Sequence, residues 1–229
     1  MSGVELMVMV GSQFSIKAMA ALQHKGVPYH LNKVPHNKVK RLAPGGQVPV
    51  LYWHGEEVRD STEIMKRLDH EVVANPLFPV GNQDVVELEH SIDEDFNPFI
   101  DHYRWVDREG FDRSIRKALQ DTLPPLVRTL VPPLVYHANK KRFLEKTGLA
   151  GEEAFPRLSQ ALASYDRRLQ DTAYLCGDSP TAADMALYGM IHTLDGDFYP
   201  GYPGIMEKLG ATELAHWFDG MRTAYPIRF

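Results

Sequence analysis

The run Gly45-Gly46-Gln47-Val48-Pro49-Val50-Leu51 sets a proline inside an apolar stretch, and this constrains the chain more than any other feature. Proline supplies no backbone donor, so within sheets it is confined to edges, strand starts and bulges. Val48, Val50 and Leu51 flank it, so the run is not a simple loop. A cis Val48–Pro49 bond that turns Val48 outward at the start of a strand is one physical solution, since cis bonds are essentially a proline phenomenon. Downstream, Asp60-Ser61-Thr62-Glu63-Ile64 has the polar caps of a helix start.

Around these two stretches the chain alternates. Val4 to Val10 is an apolar run closed by Gly11-Ser12 and reads as a buried strand. Ser15 to Lys25 has helical spacing, with Ile16, Met19, Ala20 and Leu22 on one side and Gly26 as a stop. Pro28 to Val34 fits a second strand, and Asn37 to Leu42 fits one or two helical turns. Val48 to Trp53 and Glu56 to Arg59 form a hairpin at His54-Gly55, and Ser61 to Val73 is a helix. The order β-α-β-α-β-β-α predicts an α/β domain over residues 1–74, parallel at first with an antiparallel edge.

Asn75-Pro76, Pro79 and Gly81 mark residues 75–84 as a linker. Residues 85–229 then read as an all-helical domain. Its helices are expected at Val85–Val106, Phe111–Leu130, Glu152–Gln170, Ala182–Leu194 and Ala211–Tyr225. Pro124-Pro125 and Pro132-Pro133 must kink or break the segment 121–143. Thr181-Ala182-Ala183-Asp184 has the form of a capping box, a structural device.

Composition narrows the function. The 229 residues include 25 basic and 30 acidic side chains, a net charge of −5, which argues against a general nucleic-acid or anionic-membrane binder. Cys176 is the one cysteine, so no internal disulfide and no Cys-rich zinc site can form. It reads as a structural thiol. The histidines lack metal-ligand spacing, and no metal is expected. No apolar run approaches a membrane span and the first ten residues make a poor secretory signal, so a cytoplasmic location is expected.

Four segments, in order, resemble the cytosolic glutathione transferase family over nearly the whole chain. Gly11-Ser12-Gln13-Phe14-Ser15-Ile16-Lys17 resembles the family's Ser-Pro-Phe-Ser-x-Lys segment, with Gln13 in place of the proline. Ala43-Pro44-Gly45-Gly46-Gln47-Val48-Pro49-Val50-Leu51 resembles Asn-Pro-x-Gly-x-Val-Pro-x-Leu. Asp60-Ser61-Thr62-Glu63-Ile64 resembles the Glu/Asp-Ser-x-x-Ile segment, and residues 175–184 resemble the capping segment of the helical domain. The resemblance is to a serine-type, bacterial-like member. It implies a thioredoxin-like N-terminal domain joined to an all-α C-terminal domain, a homodimer, and a role in detoxification.

It also implies a chemistry. Glutathione would be a co-substrate, with no tightly bound cofactor, and a small hydrophobic electrophile its reaction partner. The cysteinyl backbone of glutathione would pair with Val48 beside cis Pro49. Ser61 at a helix start would hold the γ-glutamyl carboxylate, Asp60 the amine, and Gln47 the peptide backbone or terminal carboxylate. Lys38 or Lys40 would meet the glycyl carboxylate, and Phe14 would flank the tripeptide. A hydroxyl at the start of the first helix would favour the thiolate: Ser12 is preferred, with Ser15 as its rival. Phe99, Tyr103 and Trp105 would line the electrophile pocket. Asp93-Glu94-Asp95 and Asp101 form an acidic face that is either solvated or, as in some members, reaches a partner subunit's glutathione amine. Lyase, isomerase or dehalogenase chemistry on the same thiolate, or a non-catalytic binding module, are the competing readings.

Overall fold

The computed structural model describes residues 3–149 and 151–229. The N-terminal half runs β1 (Val4–Val8), α1 (Gln13–His24), β2 (His30–Lys33), α2 (Val39–Leu42), β3 (Val50–Trp53), β4 (Glu56–Arg59) and α3 (Ser61–Glu71). The strands form one mixed sheet in the order β2-β1-β3-β4. β1 pairs parallel to β2, with Glu5 opposite His30, and antiparallel to β3, with Leu6 opposite Leu51. β3 and β4 close the antiparallel edge as a hairpin. This is the thioredoxin-like mixed sheet that the resemblance implied, and the Val48–Pro49 bond is cis.

The strands are legible because their period is two. Leu6, Val8, Leu51 and Trp53 face the main core, while Met7 and Val50 face a smaller cluster with Val34 and Ala43. α1 is different. Its expected one-sided stripe is in fact buried on all sides, including Gln13, Ser15 and Lys17, because the helical domain covers the face that the sheet leaves.

The C-terminal half contains α4 (Gln83–Ser91), α5 (Asn97–Asp101), α6 (Arg108–Phe111), α7 (Lys117–Thr122), α8 (Val131–Thr147), α9 (Gly151–Arg168), α10 (Ala182–Asp195), α11 (Ile205–Leu209) and α12 (Thr212–Ala224). π turns at Ile92–Phe96, His102–Val106 and Asp112–Arg116 join α4 through α7. The helix expected over Phe111–Leu130 instead stops at Thr122, because Pro124 and Pro125 cannot continue it. A helix then restarts at Val131, with prolines in its first turn, where the missing N–H costs nothing. Among the described residues no helix is long and apolar enough to cross a membrane.

α10 is the axis of this half. Thr181 and Asp184 form the expected capping box at its start. Its Gly189 lies directly against α1: a Cβ there would overlap the Gln13 carbonyl oxygen. Gly189→Ala must therefore push α10 off the start of α1. A loss of roughly 2 kcal/mol is expected in urea unfolding, the usual cost of overpacking. An unchanged midpoint would mean that the two helices part without strain.

Candidate active site

The N-terminus of α1 and the two stretches around Pro49 and Ser61 converge on one cavity of about 550 Å³. Ser12, Gln13 and Phe14 enter from the turn after β1. Pro44, Gly45, Gln47, Val48 and Pro49 enter from the loop before β3. Arg59, Asp60 and Ser61 close it at the junction of β4 and α3, and Asp101, Phe143 and Lys146 cover it from the helical domain.

Ser12 is the N-cap of α1, its Oγ accepting from the Ser15 amide at 3.3 Å. That leaves the hydroxyl proton free to point into the cavity, at the positive end of the helix dipole. Ser15 is fully buried and absent from the cavity wall; its Oγ accepts from the Met9 amide at 3.4 Å. The two serines therefore divide the work, one facing the cavity and one fastening the turn behind it.

Asp60 has φ 72° and ψ 135°, a strained backbone for a residue with a side chain. Its carboxylate caps α3, accepting from the amides of Thr62 at 2.8 Å and Glu63 at 3.3 Å. Ser61 is the first residue of the helix and is nearly buried. Lys38 and Lys40 are both exposed and outside the cavity wall; Val39 between them faces it. The cations on the wall, among the described residues, are Arg59 and Lys146.

The expected aromatic pocket is also rearranged. Phe99 is core, packed edge-on against Phe96. Tyr103 packs on Tyr202 and lines a separate cavity. Trp105 stands behind the site, stacked on Phe143 at 4.8 Å with the rings parallel, so that Phe143 presents the aromatic surface. Phe143, at the end of the proline-broken segment 121–143, and Lys146 just beyond it carry no further sequence signal.

The acidic face is neither simply solvated nor wholly free. Lys17, 1% exposed, bonds Glu89 at 2.5 Å, Asp93 at 2.6 Å and the Thr62 hydroxyl at 3.2 Å. Asp101 pairs with Lys146 at 2.6 Å, and Asp95 accepts from Ser91. Two carboxylates share the one Lys17 ammonium. Burial pushes Asp93 up to about 6, against the pull of Lys17 and aided by Glu89 and Asp60. A carboxyl whose folded pKa lies above its unfolded one favours the fold at low pH. That contribution is full below about 3.8 and lost as pH rises through about 6. Asp93→Asn should therefore be more stable than the parent at neutral pH, by about 2 kcal/mol. The gap should close near pH 4; thermal melts across this range read it, and a gap independent of pH would contradict the assignment.

The family model "Glutathione S-transferase, N-terminal domain" matches residues 11–71, and "Glutathione S-transferase, C-terminal domain" matches residues 149–220. No curated protein sequence matches the chain. Among solved structures, the β-etherase LigF from Sphingobium sp. strain SYK-6 is 22% identical, with a TM-score of 0.69 over 97% of this chain and 95% of that one. A glutathione transferase family member from Pseudomonas fluorescens pf-5 with two glutathione bound is 14% identical, with a TM-score of 0.64 over 97% and 89%. A glutathione S-transferase from Methylobacillus flagellatus kt with glutathione bound is 17% identical, with a TM-score of 0.62 over 98% and 100%. At these identities the likeness is one of fold.

Proposed function

Because the chain belongs to the glutathione S-transferase family, we propose that it binds glutathione in the Ser12 cavity and uses its thiolate against a small hydrophobic electrophile. The observation that carries this reading is the meeting, on one cavity wall, of a helix-capping hydroxyl, the cis Val48–Pro49 edge and the Asp60–Ser61 helix start. The backbone of Val48 pairs with the cysteinyl residue, which sets the sulfur toward Ser12. Ser61 and the start of α3 take the γ-glutamyl carboxylate, and the Asp60 carboxylate takes the amine. Arg59 and Gln47 replace Lys38 and Lys40 as the partners of the glycyl end, since the lysines lie outside the cavity wall.

The thiol proton leaves to solvent and the Ser12 hydroxyl donates to the resulting anion. A free thiol with a pKa near 8.5 is mostly protonated at neutral pH, so this donor and the α1 dipole raise the thiolate fraction. The sulfur then forms a bond to the electrophilic carbon, and the leaving group departs with its bonding electrons. Phe14 and Phe143 offer the apolar surface for the electrophile.

A second reading, glutathione-dependent cleavage of an aryl ether, is favoured by the Phe143–Trp105 wall and by the fold shared with a β-etherase. There the leaving group is a phenolate. Titration calorimetry with glutathione tests both readings: heat with saturation is expected, and none at millimolar ligand would sink them together. Assays with chlorodinitrobenzene and with a β-aryl ether then separate conjugation from cleavage. A cytoplasmic homodimer with a detoxifying role belongs to the same proposal, its assembly being measurable by light scattering.

A further inference from the structure

The turn that presents Ser12 is held from behind. Ser15 takes the Met9 amide, His36 Nε2 lies 3.3 Å from the Val10 carbonyl, and Arg104 Nη1 donates to the Gly11 carbonyl at 2.9 Å. Arg104 is 5% exposed and, among the described residues, no carboxylate is hydrogen-bonded to it. Asp101 lies near enough to act through space, but its carboxylate is already bonded to Lys146. Gln13 completes the contact: its Nε2 donates to Asn97 Oδ1 at 2.8 Å, which turns Oε1 toward Arg104 Nη1 at 3.5 Å. The proline usual at this place in the family could not do this.

We propose that Arg104 is a positioning residue of the thiolate site: a buried cation that fixes the Gly11 carbonyl and sets its positive charge behind the Ser12 hydroxyl. The inference rests on the function proposed above. A buried charge without a bonded counter-ion is costly to keep. Its field in this low-dielectric place acts on whatever anion forms at the Ser12 turn. Burial draws Arg104 down to about 10, which leaves it a cation at neutral pH. The other groups facing it do not cancel that charge. His36 is held neutral, lowered to about 4 by burial and by Arg104 itself, and the Tyr199 ring at Gly11 bonds Asp121 through its hydroxyl.

The test is the pKa of the bound glutathione thiol, read from thiolate absorbance against pH, in the parent protein and in Arg104→Gln, Arg104→Met and Arg104→Lys. Loss of the charge in the Gln or Met variant should raise that pKa by about one unit. The Lys variant should stay near the parent value. Two uncharged variants are included so that one failing to fold leaves the other to decide, each folded variant being identified by a cooperative melt. A thiol pKa unchanged in a folded uncharged variant, or shifted as far in Arg104→Lys, overturns the assignment. If the parent itself holds no glutathione, the proposed function fails first and takes this inference with it.

Discussion

Replacing Ser12 with alanine should lower the turnover of glutathione with any electrophile by about 100-fold, the scale of losing one hydrogen bond to a developing or full anion. The thiolate absorbance of the bound tripeptide should fall with it. Ser12 also caps α1, so the alanine variant removes two things at once, and the lost cap alone is worth ~1 kcal/mol of stability. Ser12→Gly separates them, because glycine caps a helix nearly as well but has no hydroxyl. The glycine variant should melt close to the parent and be as inactive as the alanine one. Full activity in Ser12→Gly would reject the serine as the thiolate donor. Ser15→Ala is a different experiment. That hydroxyl is buried behind the turn, so a fall in activity there should come with a loosened turn and lowered stability.

The largest loss of stability should come from Asp184→Ala, far from the cavity. One carboxylate oxygen accepts from the Leu175 amide at 2.9 Å and Trp217 Nε1 at 3.1 Å; the other accepts from the Thr181 amide and hydroxyl, both at 2.9 Å. The side chain has no solvent exposure. Alanine leaves these donors buried without an acceptor, at roughly 3–5 kcal/mol in total. For a chain of this size that corresponds to roughly 10 °C in the melting temperature. Asp184→Asn should lose much of the same energy, because its amide sets a donor against donors. A loss below about 1 kcal/mol in either variant would mean that water reaches these groups.

The parts of the site that depend on local chemistry are legible in the chain itself. A proline at the start of an apolar strand admits a cis bond as one solution, and Val48–Pro49 is cis. The sequence places Ser12 just after the first strand, at the start of a helix, and in the structure it is the N-cap of α1. The rest depends on how far helices rotate. Each π turn adds a residue to one turn of α-helix and so rotates the residues beyond it by about 100°. One of them, His102–Val106, contains Tyr103 and Trp105, which even a regular helix would set about 200° apart, so these two and Phe99 do not share a face. Phe143, Lys146 and Arg104 are hidden for a second reason. Their roles come from approach across the domain seam, which leaves no spacing in the sequence. Lys17 shows this well: its place in α1 is legible, but Glu89 and Asp93 reach it from α4 and the π turn after it.

The contact between Gln13 and Gly189 also bears on how the chain is made. It joins residues separated by most of the polypeptide, and such distant pairings slow folding. Synthesis delivers α1 early and α10 late, so one side of α1 waits uncovered while the intervening helices emerge. A fragment ending at residue 74 would keep Ser12, Val48 and Ser61 but expose a helix that the whole protein buries all round. Such a piece is expected to aggregate rather than serve as a small glutathione binder, and any shortened form of practical use must retain the late helices.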